Sequence, residues 1–409
     1  MKVCVTHYAF YPTTGGVESH LIDLCTELVR QGHEVHALVG SLEGSPAEET
    51  KAGVHIHRDN MLNIELIRER KLAAGYQPDR PWPALQREMR AFFHDFVTKH
   101  NIDVVHAHNF HHFLPEYGLA LTELHDGGLA TALTLHEMWD EFICKHLLEQ
   151  TRWDSIIPVG EHVRRDLMRM SPNAANVRTI LHGINIEMFS PDVREDGLRE
   201  ELGLVGKRVI LHPARMLPWK GVHISVQAMR RVVQEFPNAM LIVTDTDQII
   251  DWIRELGEYK QQILESIKQH GLTDNVLPHS FDYFDLPRAY ALADIVIYPT
   301  CGEEPFGLVP LEAMACAKPV IVSRSGGLVE SVMDSETGYI IDKDNSDQLA
   351  NRLIQLLRDD NLRASMGRAG RRHVAANFSR ERMVREVVEE YERGVAGARL
   401  RRRADHCDR

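Results

Sequence analysis

One pattern, met twice, constrains this chain more than any single motif does. Short apolar runs of strand length alternate with longer runs whose apolar residues recur at helical spacing, and near residues 190–206 the alternation starts afresh. "MKVCVTHYAF" reads as a first strand, "GGVESHLIDLCTELVRQGH" as an amphipathic helix stopping at Gly32, and "EVHALVG" as a second strand. "IDVVHAH" (102–108), "ATALTLH" (130–136) and "DSIIPVG" (154–160) continue the series, and "VRTILHGIN" (177–185) closes it. Beyond the charged, helix-prone "REDGLREELGL", new strands begin: "RVILHPA" (208–214), "AMLIVTD" (239–245), "NVLPHSF" (275–281), "ADIVIYPT" (293–300) and "PVIVSRS" (319–325). Strands that alternate with helices specify parallel sheets. A length of 409 residues suits two such cores better than one. The polar segment 41–92, with "QPDRPWPAL" in it, reads as loops and a helix on the rim of the first domain. The tail "RGVAGARLRRRADHCDR" reads as basic and frayed.

Doubly wound sheets bind ligands beyond the carboxyl ends of their strands, which for two of them points to a cleft between the domains. Composition narrows the ligand. With 47 Lys and Arg against 59 Asp and Glu, the net charge is −12, the wrong sign for broad nucleic-acid binding. No apolar run reaches the ~18 residues of a membrane span. The amino terminus lacks the apolar core of a signal peptide and reads better as a strand. The six cysteines are scattered, with no C-x-x-C pair, as expected of small buried apolar residues in a reduced, cytoplasmic protein.

The candidate motifs fall at strand-to-helix junctions. "PTTGGVESH" places Gly15 and Gly16 before a helix, where free N–H groups favour an anion; a tight turn is the ordinary alternative. It is not the G-x-G-x-x-G dinucleotide fingerprint. "ARMLPWKGV" presents Arg215 and Lys220 from a loop, where they could clamp a diphosphate or be merely solvated. "EEPFGLVPLE" carries Glu304 and Glu312 eight residues apart around Pro-Phe-Gly. Proline suits a helix start near Pro310, which would put Glu312 in the first turn and Glu304 in the loop before it. Gly307 would let a ligand approach, with the N–H groups of Leu308 and Val309 open to an anion. "SRSGGLVES" offers another Gly-Gly, and "TLHEMWD" ends a strand at His136. "HAHNFHH" supplies His106, His108, His111 and His112, enough for zinc by count, but no carboxylate or cysteine lies at a familiar spacing. These read as strand-end histidines near a substrate, and no metal is assigned.

Taken together, the motifs resemble those of the retaining GT-B glycosyltransferases, in particular glycosyltransferase family 4 (glycosyl transferases group 1), over about residues 1–392. The most specific is Glu304 to Glu312, matching the family's E-x7-E signature; "GGVESHLIDLCTELVRQGHEV", "ARMLPWKG" and "SGGLVE" match other landmarks in order and separation. The resemblance implies an α/β GT-B fold, two Rossmann-like doubly wound domains facing across a cleft. It implies an acceptor-binding domain at 1–190, a nucleotide-sugar domain at 191–376, a helix at about 377–395 packing back on the first, and a disordered basic tail at 396–409. It further implies that Gly15 and Gly16 close on the donor diphosphate, that Arg215 and Lys220 neutralise it, and that Glu304 binds the sugar hydroxyls. Phe306, Gly307, Leu308 and Val309 would offer backbone contacts, Glu312 would hold the ribose, and His136 would lie beside the sugar. The backbone of His279, Ser280 and Phe281 would meet the base. The acceptor would face the first domain, with the 41–92 segment, His108, Asn109, His111 and Glu137 as candidate walls.

The implied reaction moves a sugar from a UDP- or GDP-sugar to an acceptor hydroxyl with retention, by a front-face route that needs no protein nucleophile and no obligatory cofactor. "TDTD" (244–247) contains D-x-D by letter, but it stands where the family has a glycine-rich turn, and His182 stands where asparagine is common. Two alternatives stay open: a non-catalytic nucleotide-sugar-binding subunit, and a related sucrose- or trehalose-type synthase. A phosphorylase would need a lysine-bound pyridoxal site, of which there is no sign. Arg399 and Arg401–Arg403 leave room for peripheral membrane association.

Overall fold

The computed structural model describes the chain except Thr14 and residues 112–113, 139–140, 245–254 and 408–409. It contains two compact units, Met1–His182 with Arg380–Arg409, and Gly183–Ser379. The divisions differ from 190/191 and 376/377 for a local reason. Ile184 donates its N–H to the Phe378 carbonyl at 2.9 Å and bridges Ser379, so both crossings are tied inside the second unit.

The first unit holds a seven-stranded sheet of β1 (Lys2–His7), β2 (Glu34–Gly40), β3 (Glu48–Lys51), β4 (Val54–Asp59), β5 (Val104–His108), β6 (Ala130–Leu135) and β7 (Ser155–Pro158). Their order is β3-β4-β2-β1-β5-β6-β7, parallel throughout except for β3 against β4. The 41–92 segment is therefore more than loops and one helix: it builds β3 and β4 at the sheet edge, then the helices Ile64–Ala73 and Pro83–His100. "VHIHRD" in β4 alternates buried and half-buried residues, the pattern of a strand covered on one face, and so lacks the continuous apolar run of its neighbours. "VRTILHGIN" adds no strand; Val177 makes only an isolated bridge to Ile156.

The expected disordered tail is corrected as well. A single 28-residue helix runs from Arg380 to Cys407. Met383, Val384, Val387, Tyr391 and Ala398 complete the first unit's core. Arg401 pairs with Asp154 at 2.7 and 2.9 Å and donates to the carbonyls of His125 and Leu129, while Arg402 donates to that of Gly128. Desolvated, bidentate pairing explains why the basic stretch stays helical where composition alone reads as frayed. No described helix is long and apolar enough to cross a membrane.

The second unit has β8 (Arg208–His212), β9 (Ala239–Thr244), β10 (Val276–His279), β11 (Ile295–Tyr298), β12 (Val320–Ser323) and β13 (Gly338–Ile341) in the order β10-β9-β8-β11-β12-β13. All pairs are parallel. In both units the strand order reverses beside the first strand, β1 or β8. Successive connections depart to opposite sides there and leave a crevice at the carboxyl ends.

Candidate active site

In the second unit the crevice opens between β8 and β11. The chain leaves β8 through Arg215 and a 3-10 turn, Pro218–Lys220. Gly221 follows at φ +76°, and a Cβ there would stand 2.0 Å from the Pro299 carbonyl, so only glycine lets this loop press against the end of β11. The Trp219 carbonyl accepts from Thr300 Oγ1 and from the N–H groups of Cys301 and Gly302. With the loops locked, Lys220 Nζ donates to Glu304 Oε2 at 2.7 Å and lies 2.6 Å from Tyr298 Oη, which itself donates to Glu304 Oε2 at 2.8 Å. Burial, with the Glu304 carboxylate beside it, pushes the Tyr298 phenol well above its ordinary range, and the Arg215 charge opposes this. Tyr298 is thus a hydroxyl donor at any working pH.

The loop carrying Glu304 is braced from below. The Glu304 N–H donates to Ser325 Oγ at 2.9 Å, and its carbonyl accepts from Gly327 at 2.8 Å. A Cβ on Gly326 would come within 2.0 Å of the Glu304 carbonyl, so this Gly-Gly supports the Glu304 loop. Its following helix, Leu328–Ser331, is a single turn.

Gly307 sits at φ +88° as the N-cap of the helix Leu308–Ala315, with no side chain capping it. The first N–H groups of that helix, at Leu308 and Val309, have no intrahelical acceptors. Phe306 is buried, its ring 6.2 Å from that of Phe378. Because the helix begins at Leu308, not near Pro310, Glu312 is its fifth residue and lies outside the first turn. It is buried and accepts from Tyr290 Oη at 2.5 Å, and burial pushes its carboxyl up to about 7. The expected stabilisation by the helix dipole is therefore replaced by desolvation. His279 and Phe281 pack edge-to-face, centroids 4.6 Å apart, at the end of β10, two strands out from β8. Of "TDTD", only Thr244 lies within the described residues.

In the first unit the helix Gly16–Arg30 follows β1. A Cβ on Gly15 would fall 2.3 Å from Glu18 Oε2, whereas one on Gly16 would meet nothing within 4 Å. Gly15 thus makes room for a buried carboxylate, which faces His7 Nε2 at 3.9 Å. Strand ends β5 and β6 bring His136 and the acceptor candidates together. His108 Nδ1 lies 2.9 Å from His136 Nε2, and the His136 N–H donates to Asn109 Oδ1 at 2.9 Å. Asn109 Nδ2 donates to Glu137 Oε1 at 3.1 Å, and His111 Nε2 lies 2.7 Å from the Glu137 carbonyl. Residue 112 is outside the described residues. His20 stands 5.0 Å from His136 and 4.4 Å from His182 by ring centroids, and His136 stacks on His182 at 5.2 Å. His106 sits below, between Tyr391 Oη at 2.6 Å and Thr134 Oγ1 at 2.7 Å. Burial holds all these imidazoles below their usual range: His7 near 4, His20 and His106 near 3, and His108, His136 and His182 lower by direction. They are neutral hydrogen-bonding groups at pH 7.

Tyr298, Tyr290, Glu18 and His20 were not singled out in the sequence. Tyr298 closes an apolar strand run with a polar head, which was the available signal. His20 comes from the second turn of a helix, and no spacing along the chain connects it with His136.

Residues 195–373 match the profile of Glycosyl transferases group 1, and residues 14–188 that of Glycosyltransferase Family 4. Spore coat protein SA of Bacillus subtilis (strain 168) is 29% identical over 250 residues, 58% of this chain and 64% of that protein. The N-acetyl-alpha-D-glucosaminyl L-malate synthase of Bacillus anthracis is 24% identical over 389 residues, 91% of this chain and 93% of that protein. Among solved structures, Anabaena HepE in complex with UDP and glucose superposes with a TM-score of 0.73 at 20% identity, covering 95% of this chain and 98% of that one. The fold and the family profiles together define a GT-B glycosyltransferase. Within that class, the chain belongs to the glycosyl transferases group 1 family.

Proposed function

We propose that this glycosyltransferase uses a nucleoside-diphosphate sugar, UDP- or GDP-linked, and transfers the sugar to an acceptor hydroxyl with retention of anomeric configuration. The observation that carries the reading is the Lys220–Tyr298–Glu304 group at the β8/β11 switch point. Glu304 can accept hydrogen bonds from sugar hydroxyls, and Lys220 with Arg215 can neutralise a departing diphosphate. Lys220 Nζ and Glu304 Oε2 are 2.7 Å apart, so the two roles are adjacent in the site. Leu308 and Val309 N–H groups at the helix start suit phosphate oxygens. Glu312 is the ribose grip, and His279 to Phe281 flank the base. Gly15 and Gly16 are assigned to donor binding.

Departure of the diphosphate builds negative charge on phosphate and positive charge on the sugar. Cations fixed beforehand in a dry site stabilise the former, and removing such a group typically costs ~2–4 kcal/mol. No carboxylate is assigned as nucleophile, because Glu304 is held by Lys220 and Tyr298. The departing phosphate oxygen then takes the acceptor proton on the same face of the sugar. His108, Asn109, His111, Glu137 and His136 are assigned to the acceptor and the sugar. Support for a nucleotide sugar comes from HepE, solved with UDP and glucose.

Lys220→Ala should lower turnover by about 10²–10³-fold with its circular dichroism spectrum unchanged. Turnover near that of the native chain would refute the diphosphate role. Donor hydrolysis without acceptor, screened over UDP- and GDP-sugars, separates this reading from a binding subunit, which would release no nucleotide from any of them. Proton NMR of the product anomer tests retention.

A further inference from the structure

A second gathering of histidines lies in the first unit on β2, β4 and a helix end, apart from the β5 and β6 ends that carry His108 and His136. His36 is the third residue of β2. His55 and His57 alternate on one face of β4, with His55 in register with His36. His100 is the last residue of the helix Pro83–His100. Their rings converge: His36 to His100 is 4.6 Å, His57 to His100 is 4.9 Å, and His36 to His57 is 5.3 Å between centroids. Phe96, one turn before His100, walls the group edge-on. One nitrogen from each of His36, His57 and His100 lies within 4.8 Å of the other two.

We propose that His36, His57 and His100 form a binding site for a zinc-class divalent transition-metal ion, separate from the transferase site. Three geometric facts support it. First, His36 Nδ1 and His57 Nε2 are 3.0 Å apart. Tetrahedral zinc with bonds of 2.0–2.1 Å needs its ligand nitrogens about 3.3 Å apart, so the existing spacings require shifts of at most about 1.5 Å. Second, the outward nitrogens already meet carboxylates. His36 Nε2 lies 3.1 Å from Glu34 Oε1, which also accepts from Lys2, and His57 Nδ1 faces Glu48 Oε1 at 3.6 Å. Carboxylate on one ring nitrogen and metal on the other is how ligating histidines are oriented. Third, His100 Nε2 is a buried atom with no hydrogen-bond partner.

Burial first, and neighbouring imidazoles second, hold all three below their usual range, in the neutral form that ligates. His55, whose Nδ1 lies 3.2 Å from Thr50 Oγ1, or a water would fill the fourth position. The ion would cross-link β2, β4 and the end of a helix far apart in the chain.

The test is zinc titration of the chelator-stripped full chain by calorimetry, with thermal unfolding in parallel. The native chain should bind one equivalent that His57→Gln/His100→Gln does not, and its melting temperature should rise with zinc while that of the variant does not. Glu48→Gln, at an exposed position that leaves the ligands in place, should weaken zinc binding about 10–100-fold; it keeps the test decisive should the double variant fail to fold. His20→Gln, in the buried cluster of the other sheet end, should bind as the native chain does. Absence of binding at micromolar zinc, binding unchanged in both His57→Gln/His100→Gln and Glu48→Gln, or loss of binding only in His20→Gln would each overturn the proposal.

Discussion

Glu304 and Glu312, eight residues apart, end in opposite electrostatic conditions. Glu304 accepts a hydrogen bond from the Lys220 ammonium, whereas Glu312 has only the Tyr290 hydroxyl and a buried setting. The Glu312 carboxyl is raised from 4.5 to about 7, so between those values the folded chain holds a proton that the unfolded chain has released. Its contribution is fully present below pH 4.5 and is lost as pH rises towards 7. Glu312→Gln removes this dependence. Urea unfolding of both chains should show the native one losing up to roughly 3 kcal/mol relative to the variant across that window. Parallel curves would mean that Glu312 is not desolvated. Nucleotide affinity of the variant should fall, and unchanged calorimetric affinity would remove Glu312 from the ribose.

At the scale of elements, the helix Ile64–Ala73 is held by a buried ion pair. Lys71 Nζ meets Glu116 Oε1 at 2.7 Å, both side chains are 0% exposed, and the remaining Lys71 protons go to the carbonyls of Pro78 and Arg80. Lys71→Ala leaves Glu116 buried and uncompensated, and should cost about 3–5 kcal/mol in chemical denaturation. Replacing the pair together, as Lys71→Met with Glu116→Leu, should cost less. What the chain's letters revealed and concealed divides along the same line. Strands buried on both faces, such as "ADIVIYPT", and glycines at junctions, such as Gly307, were legible because each is a local signature. β4 was not, because its half-buried alternate residues are His55, His57 and Asp59 and its third buried position is an arginine; nor was β13, whose "GYII" is four residues long. The helix Arg380–Cys407 read as frayed beyond 395 because its anchors, Asp154 and the carbonyls of His125 and Leu129, lie more than two hundred positions away. The Lys220–Glu304 contact was implied only as two separate roles, and nothing in either motif announces the 2.7 Å between them.

For the whole molecule, the first unit carries an uncommon load of neutral histidine. His7, His20, His106, His108, His136 and His182 are all held below the ordinary 6.5, and burial is the leading cause for each. A base with a lowered value in the folded state binds fewer protons there than in the unfolded chain. Its stability contribution is therefore complete above 6.5 and drains away as pH falls towards about 4. Each of His7, His20 and His106 should cost on the order of 1–2 kcal/mol between pH 7 and 5. His108, His136 and His182 act in the same direction, and a few kcal/mol is a large share of an ordinary domain's stability. The first unit should unfold in mild acid while the second, with two such histidines among its described residues, His212 and His223, persists. Two separate transitions in calorimetry at pH 5, merging towards pH 8, are expected, and a single transition at both would count against this.

The tie between Ile184 and Phe378 has a consequence for biosynthesis. Residues 183–379 are one uninterrupted stretch whose ends meet, so they can fold as soon as they clear the ribosome. The first unit cannot finish by then, because Tyr391, the partner of His106, and Glu390, the partner of Ser155, are made after that stretch. On this reasoning the later stretch should be complete while the earlier one still waits for its last helix. A chain stopped after residue 379 should yield a protease-resistant fragment of 183–379 and a digested remainder. The first unit is finished only once the helix Arg380–Cys407 has been made.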